Sequence, residues 1–133
     1  MSKLDQILAV EEEINFDIIA PLLNRAGFET TTGLSPAALD TTFVKLIPTP
    51  QGSIRYLLVV NKNGTAEMRW SRDGKSGAAI KKIHQEVGGK MLSEIEKDLT
   101  VSFKFKDVKS LIKEATRQYI TAKKYIKDVF DQF

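Results

Sequence analysis

Apolar residues recur at three- and four-residue spacing over the first twenty-eight positions. Leu4, Ile7, Leu8, Ile14, Ile18, Leu22 and Ala26 form the stripe, which predicts a helix presenting that face to a core. Ser2 is its N-cap, and Gly27 before Phe28 is a stop, because glycine takes the left-handed conformation without a steric penalty. Pro21 interrupts the run: its ring meets the carbonyl of Asp17, so a kink or break is predicted near residues 15–17. "SPAALD" (35–40) then reads as a short helical turn, with Ser35 as cap and Pro36 at the first helical position.

The pattern next shortens to period two. "TTFVKLI" (41–47), "SIRYLLVV" (53–60) and "TAEMRWS" (65–71) read as three strands. "PTPQG" is the loop between the first two. "NKNGT" joins the second and third as a tight hairpin, with Gly64 at the left-handed bulge position of a three-residue loop. That register sets Val60 opposite Ala66, Leu58 opposite Met68 and Tyr56 opposite Trp70. A two-residue Asn-Gly loop is the rival and turns Leu57 and Val59 to the Met68–Trp70 face.

A helix follows from about Ser76 through Ala79, Ile80, Ile83 and Val87, with Gly88-Gly89 set to bend or split it before "KMLSEIEKD". "LTVSFKFK" (99–106) alternates cleanly, Leu99, Val101, Phe103 and Phe105 against Thr100, Ser102, Lys104 and Lys106, and reads as a fourth strand. Asp107 caps a last helix in which Val108, Ile112, Ala115, Tyr119, Ala122, Ile126, Val129 and Phe133 keep an alternating four-three spacing. This is a coiled-coil type of seam on a helix about 40 Å long. It has two uses: packing on the chain's own sheet or first helix, or binding a second copy or partner helix through Ile112, Tyr119, Ile126 and Phe133. The expected fold is a single α+β domain over 1–133, of order α-β-β-β-α-β-α, with a four-stranded, mainly antiparallel sheet and helices on one face.

Composition narrows the function classes. At 133 residues, 42% hydrophobic and 28% charged, the chain suits one soluble globular domain. The longest unbroken apolar run, Tyr56 to Val60, is far below membrane-helix length, and "MSKLDQ" lacks the basic-then-apolar pattern of a secretory leader. A cytoplasmic protein without a membrane partner is expected. Without cysteine there is no disulfide, thiolate metal site or Cys nucleophile. The net charge of +3 is unevenly spread: residues 1–40 carry two basic against seven acidic side chains, residues 41–133 eighteen against ten. A basic surface for a polyanion, or one covered by the chain's own acidic segment, both follow from that asymmetry.

Four motifs bear on chemistry. "GKS" (74–76) is the tail of a phosphate-cradling loop, but Arg69 stands where the upstream glycine is required. What remains is a helix start at which Lys75, Ser76 and backbone amides hold one anion, or at which Asp73 or Ser76 is simply a cap. His84 has no His, Cys or carboxylate at ligand spacing on its helix face. Glu13 and Asp17 share a face at i,i+4, a spacing that suits paired acid–base work but more commonly marks a solvated face. Finally, Glu67-Met68-Arg69 puts an acid and a cation on one side of the third strand.

The order helix, three strands, helix, strand, with Glu67-Met68-Arg69 on the third strand and Glu11, Glu12 and Glu13 on the first helix, is similar to the core of the PD-(D/E)XK nuclease superfamily. That resemblance implies a metal ion gathered by Glu67 and an acid on the second strand. Here Arg69 stands in place of the family's lysine, and residues 41–66 hold no Asp or Glu. A single carboxylate does not satisfy a hard divalent cation, so at most a degenerate relative is expected, and neither catalytic residues nor a cofactor are assigned. The leading expectation is non-enzymatic: a sheet face showing Lys45, Arg55, Arg69, Lys104 and Lys106, with Arg72 and Lys75 at its edge, that contacts nucleic-acid phosphates without sequence selectivity. Phe43 is the one aromatic expected on that face. An oligomeric or assembly protein using the C-terminal seam is the alternative.

Overall fold

A computed structural model describes residues 15–31, 39–72 and 77–133. The expected helix before residue 15, the turn around Ser35, and the Gly74-Lys75-Ser76 stretch lie outside the described residues. Helix α1 is Phe16–Arg25. It begins where the proline argument places a break: Asn15 is extended, and its side chain accepts from the Asp17 amide at 3.0 Å. Pro21 sits inside the helix, which forgoes the bond that position would donate to Asp17. Gly27, at φ +93°, ends it. The Phe28 amide donates to the Leu23 carbonyl and the Gly27 amide to Asn24, the paired bonds of a Schellman stop.

The buried face of α1 is Phe16, Ile19, Ala20 and Leu23, not the face of Ile18 and Leu22. Ile18 is 62% exposed. Residues 16–23 are apolar around most of the helix circumference, so three- and four-residue spacing fits more than one face.

Five strands follow, one more than expected: β1 (Glu29–Thr30), β2 (Asp40–Thr49), β3 (Gly52–Asn61), β4 (Thr65–Trp70) and, after helix α2 (Gly77–Leu99), β5 (Val101–Lys104). Helix α3 (Val108–Asp131) closes the chain. The sheet order is β1-β2-β3-β4-β5, with every neighbouring pair antiparallel. Strand β1 is two residues long, too short to leave a period in the sequence.

The β3–β4 hairpin has the three-residue register: Val60, Leu58 and Tyr56 face Ala66, Met68 and Trp70, and Gly64 has φ +87°. The β2–β3 hairpin is tighter than a "PTPQG" loop implies. Thr49 pairs with Gly52, leaving Pro50-Gln51 as its tip, and Pro48 lies inside β2. The residue before it in phase, Leu46, directs its carbonyl to the β1 side, where the Tyr119 hydroxyl donates to it. Pro48 shares that direction, so its missing N–H falls at an edge, where no ladder bond is lost.

Helices α1, α2 and α3 pack on one face. Helix α3 lies over β2, and α2 over β3 and β4. Beneath them Phe43, Ile47, Ile54, Tyr56, Leu58, Val60, Met68, Ile83, Leu111, Ala115, Ala122 and Ile126 are essentially inaccessible to water. The polar tips in this layer are satisfied: the Tyr56 hydroxyl donates to the Leu99 carbonyl at 2.6 Å and accepts from Gln118 at 3.3 Å. Among the described residues no buried side-chain nitrogen or oxygen lacks a partner. Helix α2 breaks at Gly88 (φ 82°, ψ 166°), the predicted point. Asp107 caps α3 by accepting from the Ser110 amide at 2.7 Å, and Ser110 returns a bond to the Asp107 amide. No described helix is long and apolar enough to cross a membrane.

Candidate binding face

Cross-strand partners share a face of a sheet, so the pairings assign every strand residue to one side. Phe43 pairs with Leu58 and Lys45 with Tyr56, which puts Phe43 and Lys45 under the helices. Val44 pairs with Leu57, Thr42 with Val59 and Leu46 with Arg55, and these form the opposite, open face. The expectation that Lys45 and Phe43 point outward is therefore corrected. Strand β2 is apolar in both phases, Phe43 and Ile47 against Val44 and Leu46, and its own pattern does not choose between them. The two-residue hairpin chooses.

Lys45 has a different task. Its Nζ donates to the Ala26 carbonyl at 3.0 Å and stands 5.3 Å from the Phe28 ring centre and 4.5 Å from that of Tyr119. A cation at the C-terminal end of α1 answers the partial negative charge of its last carbonyls, and the two rings add cation–π attraction. A Cβ on Gly27 would lie 3.0 Å from this ammonium. Lys45 fastens α1 to β2.

The open face is built in rows. Thr42, Val59, Glu67 and Ser102 make one, and Glu29, Val44, Leu57 and Arg69 the next. Leu46 and Arg55 make a third, and Thr65 with Lys104 flanks the first. The centre is apolar: Val44, Leu57 and Val59 are half-buried by their neighbours, and Leu46 is 48% exposed. Arg55, Arg69 and Lys104 stand around it, with Glu67 and Glu29. Arg69 and Glu67 pair at 3.3 Å as exposed side chains, a contact of little energetic weight.

The remaining expected cations divide. Arg72 donates to Glu96 on α2, and the same carboxylate oxygen accepts from the Trp70 indole at 2.7 Å. Those bonds, the indole's first, hold Glu96 below the ordinary glutamate range. Arg72 thus belongs to a clamp between β4 and α2. Lys106 is exposed beyond the end of β5, next to the α3 cap. Lys75 lies outside the described residues. The pairings put Arg55, Arg69 and Lys104 on one face of the sheet and Lys45 on the other.

The α3 seam is largely built into the chain's own interior. Tyr119 is 7% exposed and Ile126 fully buried, while Ile112 is half-buried. They complete the chain's own core, the first of the two uses the spacing allowed. Of these four, Phe133, 40% exposed and edge-on to Phe130 at 5.3 Å, is the most open to solvent. His84 and Asp17 are exposed, and Glu11–Glu13 lie outside the described residues. Among the described residues no three of His, Cys, Asp and Glu assemble as a metal-ligand group.

Val44, Leu46, Leu57 and Val59 are absent from the sequence-derived site. Their signal was nevertheless present: "TTFVKLI" and "SIRYLLVV" are apolar in both phases, the pattern of strands covered on two sides. The chain matches no known family model, no characterised protein and no solved structure.

Proposed function

We propose that this is a non-enzymatic binding protein whose working surface is the open face of its sheet. One observation carries the reading: four aliphatic side chains, Val44, Leu46, Leu57 and Val59, lie together on a face that none of the described helices covers. The solvated side of an antiparallel sheet is ordinarily polar, and a contiguous exposed apolar patch with a polar rim marks an interaction site. Arg55, Arg69 and Lys104 on that rim favour a partner combining apolar contact with negative charge, such as an amphipathic protein segment rich in Asp and Glu. Methyl NMR during titration with anilinonaphthalene sulfonate, a small apolar anion, tests this. Shifts confined to Val44, Leu57 and Val59 are expected, and their absence from this face removes the reading.

A second reading, non-specific contact with nucleic-acid phosphates, is favoured by the same three cations sharing one side. Phe43, Tyr56 and Trp70 all face the helices, so the open face offers no aromatic ring from these strands for stacking single-stranded bases. This reading rests on backbone charge alone and predicts an affinity, followed by fluorescence anisotropy, that falls steeply with added salt. No binding at low salt removes it.

A further inference from the structure

We infer that the open sheet face docks on the same face of a second copy of this chain. The two sheets lie face to face about a two-fold axis that runs along the strands, between β2 and β3. This rests on the proposed reading of that face as a binding surface, and names its partner. Three observations lead there.

The first is that the face carries both signs of charge, on opposite sides of its apolar centre. In the row Glu29–Val44–Leu57–Arg69 the acid stands on β1 and the base on β4. Both are exposed, and Val44 and Leu57 lie half-buried between them. Within one chain Glu29 and Arg69 are three strand spacings apart, about 14 Å, so they do not meet there. A two-fold between β2 and β3 exchanges β1 with β4 and β2 with β3. Glu29 of each copy then faces Arg69 of the other, and Val44 faces Leu57, the reciprocal contact of an isologous dimer. In the flanking rows Thr42 faces Val59, and Leu46 faces the aliphatic stem of Arg55. Glu67 keeps its contact with Arg69, and Lys104, on β5, falls outside the overlap. A second copy thus supplies both things this face favours, aliphatic contact and a carboxylate for a rim cation.

The second is orientation. An axis across the strands through this row would set Glu29 against Glu29 and Arg69 against Arg69, like charges that disfavour docking. The axis along the strands pairs opposite charges instead. Aligned sheets stand about 10 Å apart and cross at about 30°. Glu29 and Arg69 lie about 7 Å from the axis, so the crossing shifts them by about 4 Å, within reach of an arginine side chain.

The third is area. Strands β2 and β3 have ten residues each, which makes them about 31 Å long, and the four overlapping strands are about 19 Å wide. This outline, at most roughly 600 Å², is below the ~800 Å² that each partner gives to a standard interface. A face of that size suits a dimer that forms and dissociates with concentration.

Charge reversal tests this in the full chain, because Glu29 and Arg69 are exposed and outside the core. Sedimentation velocity over a concentration series should show the parent passing reversibly from monomer to dimer. Glu29→Arg or Arg69→Glu alone should weaken the dimer at least about tenfold, since two attractions become two repulsions. An equimolar mixture of the two variants should restore it, as should both substitutions in one chain. A parent that stays monomeric at every concentration overturns the inference. So does a dimer that survives either reversal, or one that the mixture fails to restore. If the parent is monomeric but its Val44, Leu57 and Val59 methyls still shift with the sulfonate probe, the binding surface stands and only its partner is wrong.

Discussion

The two faces of this sheet are made from alternate residues of the same strands, yet they are finished differently. Under the helices, Phe43, Tyr56, Leu58 and Met68 are sealed from water, and the hydroxyls of Tyr56 and Tyr119 each donate to a backbone carbonyl. On the other side Val44, Leu57 and Val59 are of the same apolar kind but half-buried, and charged side chains stand around them with no described helix packed over them. Aliphatic content alone does not distinguish a core from a docking surface. What separates them is whether another element of the chain closes over the side chains and satisfies the polar groups it brings.

The largest effect that would break this contrast is a pair of adjacent truncations. Leu58→Ala is expected to destabilise by about 2–5 kcal/mol, the range for a buried leucine. Leu57→Ala, one residue away on the open face, should cost under about 1 kcal/mol, as surface substitutions do. Urea titrations compare the two, and equal losses would mean that the open face is as closed as the core.

Next in size is Lys45→Ala. It removes the bond to the Ala26 carbonyl and both ring contacts, and an expected loss of about 1–2 kcal/mol follows from their combined weight. Salt-dependent binding of a polyanion should not change, because the ammonium is under the helices. A fall in that binding with stability intact would return Lys45 to the ligand surface.

A smaller effect concerns acid. Glu96 titrates below the ordinary glutamate range because the Trp70 indole and then Arg72 favour its ionised form. A group with a lowered folded pKa stabilises above its unfolded pKa and loses that contribution as pH falls through the folded value. Glu96→Gln should therefore flatten the stability profile of the chain below the ordinary glutamate pKa and leave its slope near neutrality unchanged. Thermal melts at stepped pH read this, and an unaltered acid slope would remove the clamp from the account.

How far the fold was legible depended on how decisively each stretch was patterned. The β3–β4 hairpin was readable because Asn63-Gly64 permits few turns and one register keeps Tyr56, Leu58, Val60, Met68 and Trp70 together. The capped start and the apolar seam of α3 were readable from Asp107 and a sustained heptad spacing, while the burial of Tyr119 and Ile126 within the chain depends on packing that the spacing leaves open. Strand β2 was not: with Phe43 and Val44 both apolar, its phase is set by pairing across the Pro50-Gln51 tip. Helix α1 presented the same ambiguity around its circumference. The three cations of the open face were legible as charge on β3, β4 and β5. The apolar centre is harder to read, because Leu57 and Val59 alternate with the equally apolar Tyr56, Leu58 and Val60, and nothing in one strand says which phase another element covers.

Leu57→Glu tests the central claim most directly. The substitution places a charge in the middle of the open face, and a single melt with a parallel sulfonate titration reads both consequences. A chain that melts cooperatively close to the parent and loses the probe is the predicted result. A chain that unfolds, or that holds the probe as before, would show that this side of the sheet is interior or idle, and not a binding surface.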